Sequence, residues 1–208
     1  MSERLARVLD VSELPHGTAD SRALLWWGNL GMMTIEGTMF AMMIATYLYL
    51  RTVNLDWPPA TVQPPALLWP TINVALLVLS VIPMIAADLA AKRENVATFQ
   101  FGFAICVLVG LAAAIIRWRN LWYLGYKWSD HAYGSVIWTC IGLHSFHLLA
   151  ATGETGLLLV YSFIRPLTKK QFLDIRCTAV YWYFVVISWL PFYFMIYIVP
   201  WLSRKEAM

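Results

Sequence analysis

Five stretches of the chain, roughly 24–50, 67–88, 97–117, 132–163 and 178–202, are each apolar over about 20 residues or more. That is the length a helix needs to cross the hydrocarbon of a bilayer. Where no water is available, each span must satisfy its own backbone groups, so the spans are expected to be helices. The predicted fold class is all-α: an integral membrane helical bundle with five transmembrane helices. Composition agrees. Sixty per cent of the residues are hydrophobic and 13% charged, against about 45–50% apolar and about 25% charged in an ordinary soluble domain. Residues 1–23 read as a polar N-terminal arm, 24–202 as the bundle and 203–208 as a short C-terminal tail. The arm holds Arg4, Arg7, Asp10, Glu13, Asp20 and Arg22. It lacks an apolar core followed by a cleavage site, so no removed signal peptide is expected.

The connections are short. Asn54–Pro65 contains four prolines and cannot be helical throughout. Ala91–Asn95 is a tight charged loop. Arg117–His131 carries Trp118, Trp122, Tyr123, Tyr126 and Trp128, the aromatic belt expected at a membrane interface. Arg165–Arg176 reads as the last connection. Placing the N-terminus inside puts Arg4, Arg7, Arg22, Lys92, Arg93, Arg165, Lys169, Lys170 and Arg176 on the inner side. The outer side then holds Arg51, Arg117, Arg119, Lys127, Arg204 and Lys205. Nine basic residues inside against six outside favour a cytoplasmic N-terminus and an outside C-terminus. The net charge of +3 thus sits in loops, as membrane orientation requires, and nucleic-acid binding is not expected.

Polar groups at membrane depth carry the functional information, because they are costly there and face protein or water rather than lipid. His144 and His147 lie three residues apart in the fourth stretch, about 60° apart around a helix. Glu154 falls within about 20° of His147, so all three point into one sector. Glu36 stands near the middle of the first stretch. A carboxyl at that depth is protonated or paired, which suits proton handling, contact with a lipid head, or a bond to a facing histidine. Arg165 ends the fourth stretch and can reach out to a lipid phosphate. Asp88 ends the second stretch beside Lys92 and Arg93. Asn73 and Ser80 share one face of that stretch and can bond across helices.

The ligand count argues against a resident metal. The chain has four histidines, and His16 and His131 lie outside the spans, so a haem held by two histidines from two spans cannot form. The isolated Cys106, Cys140 and Cys177 supply no paired thiolates for copper. A di-iron bundle needs several carboxylates with Glu-x-x-His pairs. Methionines 32, 33, 39, 42 and 43 suit irregular packing better than a thioether copper relay. Gly28 with Gly31, Gly102 with Gly110, and Gly153 with Gly156 are candidates for close helix approach.

Several segments are similar to one family. GMMTIEGTMFAMMIATYLYLR, which contains Glu36, then WPP at Trp57–Pro59 and TINVALLVLS at Thr71–Ser80, resemble successive parts of subunit III of the haem-copper oxidases. So do SDHAYGS at Ser129–Ser135, GLHSFH at Gly142–His147 and YWYFVVISW at Tyr181–Trp189. The resemblance covers roughly 24–202, in the short five-span form that lacks the first two spans of longer members. It implies a non-catalytic subunit of a bacterial cytochrome c oxidase, in the cell inner membrane. Such a subunit packs against oxidase subunit I, the catalytic chain, and subunit II, and can belong to a larger respiratory supercomplex. Haem and copper would reside in those partners, while this chain would hold structural phospholipids and support proton uptake. The lipid-cleft candidates are Glu36, His144, His147, Glu154 and Arg165. Where the family usually shows His and Asp in the last helix, this sequence has Tyr183 and Val186. Two other readings remain open: a subunit III of a quinol oxidase or nitric oxide reductase-associated complex, and a stand-alone proton-coupled transporter using Glu36, His144, His147 and Glu154.

Overall fold

A computed structural model describes residues 23–54, 56–63, 66–93, 95–165 and 169–206. The N-terminal arm, apart from Ala23, and the side chains of Lys169, Lys170, Arg204 and Lys205 lie outside the described residues. Five helical segments are long and apolar enough to cross a membrane. The first is α1, Leu24–Val53. The second is made of α2, Leu68–Leu79, and α3, Val81–Lys92, joined at Ser80. The third is α4, Val96–Trp122, and the fourth α5, Ala132–Ile164. The last begins with α6, Lys169–Tyr193, passes through a π-helical turn, Phe194–Ile198, and ends in α7, Val199–Glu206.

Local sequence explains the boundaries. Pro83 follows the α2–α3 junction and lacks the N–H that would continue the ladder. Pro191 sits inside α6, and the wider turn beginning at Phe194 follows three residues later. Asn95 caps α4, its side-chain oxygen accepting from the Thr98 amide at 3.2 Å. His131 caps α5 in the same way, through Nδ1 and the Gly134 amide at 2.8 Å. The proline-rich 54–65 segment makes turns and bends, with a cis peptide between Trp57 and Pro58.

The predicted last connection is shorter than expected, because the final span starts at Lys169 rather than near 178. Arg176 therefore stands on a helix. It donates to Asp88 of α3, which Lys92 also approaches at 3.5 Å. The Arg176–Asp88 ion pair between helices allows a charged segment to extend the last helix beyond its apolar run.

The α2–α3 span and α5 each pack against both α4 and α6, and the main contacts of α1 are with α5 and α6. Along α1 only Phe40 and Tyr47 are buried. Close approach between spans depends on two glycines. A Cβ on Gly102 would stand 2.7 Å from the Pro83 carbonyl oxygen, and one on Gly110 would collide with Thr152. Gly28, Gly31 and Gly153, read as packing residues, meet no neighbour within 4 Å, so their spacing is not used between the described helices. Trp118, Trp122, Tyr123 and Trp128 are exposed, as a belt facing the interface requires.

Candidate functional site

The polar groups of the interior are organised along one side of α6. Thr178, Tyr181, Val185 and Ser188 follow one another at helical spacing over about 15 Å of axis. Each meets a candidate residue from α1 or α5. The Thr178 hydroxyl donates to Glu154 Oε1 at 2.6 Å. The Tyr181 hydroxyl donates to Glu36 Oε1 at 3.3 Å. His144 Nε2 lies 2.8 Å from the Val185 carbonyl and 3.3 Å from Ser188 Oγ. The single sector expected of His144, His147 and Glu154 is thus directed at the α1–α6 side. The three do not share one partner.

His147 and Glu36 form the pair nearest to proton chemistry. His147 Nδ1 is 2.7 Å from the Leu143 carbonyl. A carbonyl can only accept, so Nδ1 carries the hydrogen. Nε2 is then the position free to gain or lose a proton, and it faces Glu36 Oε1 at 3.6 Å. That separation exceeds a direct hydrogen bond. Glu36 Oε2 is buried with no partner among the described residues. Phe40, one turn along α1, packs against both histidine rings at 5.6 and 5.0 Å, which excludes water from the pair's apolar side.

One residue of this interior belongs to a region read as an outer loop. Arg117 is on α4 and is only 2% exposed. A helical side chain leans toward its helix N-terminus, which here is toward the bilayer centre. Its Nε donates to Asn73 Oδ1 at 3.1 Å and its Nη1 to His144 Nδ1 at 2.5 Å. The guanidinium lies 3.7 Å over the Trp189 ring, a cation–π arrangement. Because a guanidinium only donates, His144 Nδ1 must accept. Nε2 then carries the hydrogen given to Val185, and the imidazole is held neutral in one tautomer. Asn73 is satisfied in turn, its amide donating to the Ala113 carbonyl at 2.8 Å. Four helices thus meet at one buried cation. Its Nη2 has no partner among the described residues.

The signal for Arg117 was present in the sequence. Positions 103, 106, 110 and 113 lie on the same α4 face, and all are buried. Their small or apolar residues mark a packed surface that runs straight to Arg117. The partner residues on α6 carry no comparable signal, since a threonine, a tyrosine and a backbone carbonyl look ordinary in a span.

Two further expectations are resolved. Asn73 and Ser80 do bond between helices: Ser80 Oγ accepts from the Trp182 indole at 2.9 Å. Arg165 stands apart from the other candidates. It is exposed at the C-terminal end of α5, with no side-chain partner among the described residues. Glu154 is also exposed and lines a groove of about 550 Å³ between α1, α5 and α6, with Gly28, Asn29, Leu158, Asp174 and Cys177. Among the described residues, no three His, Cys, Asp or Glu side chains converge as metal ligands would.

The family model described as Cytochrome c oxidase subunit III matches residues 18–202. The chain is 26% identical over 189 residues to a protein of Thermostichus vulcanus, covering 88% of this chain and 90% of that one. It is 24% identical over 179 residues to one from Locusta migratoria, covering 83% and 68%. It is 26% identical over 142 residues to one from Oryctolagus cuniculus, covering 68% of this chain and 54% of the rabbit protein, about half its length. All three relatives are described as Cytochrome c oxidase subunit 3.

Proposed function

Because the chain belongs to the cytochrome c oxidase subunit III family, we propose that it is the non-catalytic third subunit of a bacterial respiratory oxidase. In this reading it stabilises the catalytic subunit within the inner membrane, holds phospholipid and supports proton uptake during oxygen reduction. Its N-terminus is cytoplasmic and its C-terminus lies outside. The observation that carries the reading is how the interior polar groups are used. Arg117, Asn73, His144 and Ser80 join one helix of this chain to another. Such a network stiffens a scaffold, as a subunit that supports its neighbour requires.

Phospholipid retention is supported by the groove between α1, α5 and α6. It is lined by the apolar Leu25, Met32, Leu157 and Leu158 and by the carboxyls of Glu154 and Asp174. An acyl chain can pack against the apolar residues and a headgroup amine can meet a carboxyl. Proton uptake is supported by the His147–Glu36 pair, which brings an imidazole Nε2 and a carboxyl oxygen to 3.6 Å of each other at membrane depth. The partners in this reading are oxidase subunits I and II, which would hold haem and copper.

The test is isolation of the assembled complex from native membranes through a tag on this chain. Co-purification of haem-bearing and copper-bearing subunits, with retained phospholipid, is the expected result. Recovery of the chain alone from gently solubilised membranes would refute the proposal.

A further inference from the structure

On the side of the bundle away from α1 there is a second small pocket, near the Trp122 end of α4. It measures about 210 Å³ and is lined by Trp69 and Pro70 of α2, Arg119 and Asn120 of α4, Tyr123, and Tyr197 of the π-helical turn. The Arg119 guanidinium lies 4.8 Å from the Trp69 ring and 5.5 Å from the Tyr123 ring. Two aromatic faces hold it in place, with its N–H edges free. No described carboxylate lies within 4 Å of it. Behind it Tyr197 is 2% exposed and lines the same pocket. The buried Tyr197 and the aromatic-flanked Arg119 are independent observations, one from α4 and one from the last span. Both can donate hydrogen bonds, and they line the same pocket.

We propose that this pocket is a binding site for the phosphodiester headgroup of a membrane phospholipid. Arg119 presents the planar fork that matches two phosphate oxygens, and Tyr197 and Asn120 add neutral donors. The volume is below the roughly 300–1,000 Å³ of sites that enclose a whole organic ligand, so the pocket takes a headgroup and leaves the tails outside. The tails have a path: Ile115, one turn below Arg119 on α4, and Ile72, one turn beyond Trp69 on α2, are both exposed. The pocket lies at the level of the exposed Trp118, Trp122 and Tyr123, where headgroups stand. This commits the site to a lipid in the leaflet opposite the Glu154 groove. It deepens the lipid-holding role proposed above and rests on that reading.

The test uses the assembled complex, purified in mild detergent and supplemented with phosphatidylglycerol, with bound lipids counted by native mass spectrometry. Arg119→Gln is expected to lose one phosphatidylglycerol per complex, through a weakening of about tenfold or more. Tyr197→Phe keeps the ring and is expected to weaken the same lipid by a few-fold. Both variants should retain the haem and subunit content of the parent, which separates this test from failure of the accessory-subunit reading. Gly28→Leu, in the other groove, should leave this lipid in place. An unchanged lipid count in Arg119→Gln overturns the proposal. Release of the lipid by millimolar inorganic phosphate would assign the site to a free anion and overturn it equally.

Discussion

His144 and Arg117 should respond unequally to replacement, although they bond to each other. His144→Leu is close to isosteric, so it opens little cavity. It removes the acceptor at 2.5 Å from Arg117 and leaves a guanidinium that is 2% exposed with Asn73 and Trp189 as its remaining partners among the described residues. Depriving a buried charge of a partner costs about 3–5 kcal/mol. Arg117→Leu removes the charge itself and leaves two neutral acceptors, Asn73 Oδ1 and His144 Nδ1, each short of a donor. Losses of that kind run about 1–3 kcal/mol, and relief of the buried cation offsets part of them. The double variant should therefore be more stable than His144→Leu alone. Thermal release of this chain from the purified complex, ranked for the four proteins, measures the order. Equal damage from the two single variants, with additive loss in the double, would refute the claim that an uncompensated charge dominates the site.

Gly110→Ala should destabilise the chain by about 1–3 kcal/mol through overpacking against Thr152, and Thr152→Gly should restore much of it; melting temperatures of the three variants decide. Glu36→Ala should leave haem in the complex while altering its stability or lipid content, read by pigment spectra and lipid analysis, and complete loss of haem would contradict it. Thr178→Val should cost roughly 0.6 kcal/mol, the usual worth of one hydrogen bond between spans, measurable as a small shift in melting. Burial pushes the Tyr126 phenol, in the 123–131 connection, above its ordinary range. The folded state then holds that proton more tightly than the unfolded one. Its contribution is full below the ordinary tyrosine value of about 10 and is lost as pH rises beyond it. Tyr126→Phe should flatten the alkaline limb of a stability–pH profile.

The sequence by itself determined the number of spans, their order and their membrane character. Length and apolar composition suffice for that, because hydrocarbon admits so few ways to satisfy a backbone. It also marked Glu36, His144 and His147, since ionisable residues are rare at such depth and stand out one by one. Tertiary structure alone decided which group each one meets. Glu36 pairs with His147 across 111 positions of chain, and His144 with an arginine that the charge pattern assigned to an outer loop. The Lys169 start of the last span, and the use of Gly102 and Gly110 but not Gly28, likewise follow from neighbours. Partner choice depends on rotation and depth of one helix against another, and those are set by packing over whole helix faces. No short stretch of residues encodes them.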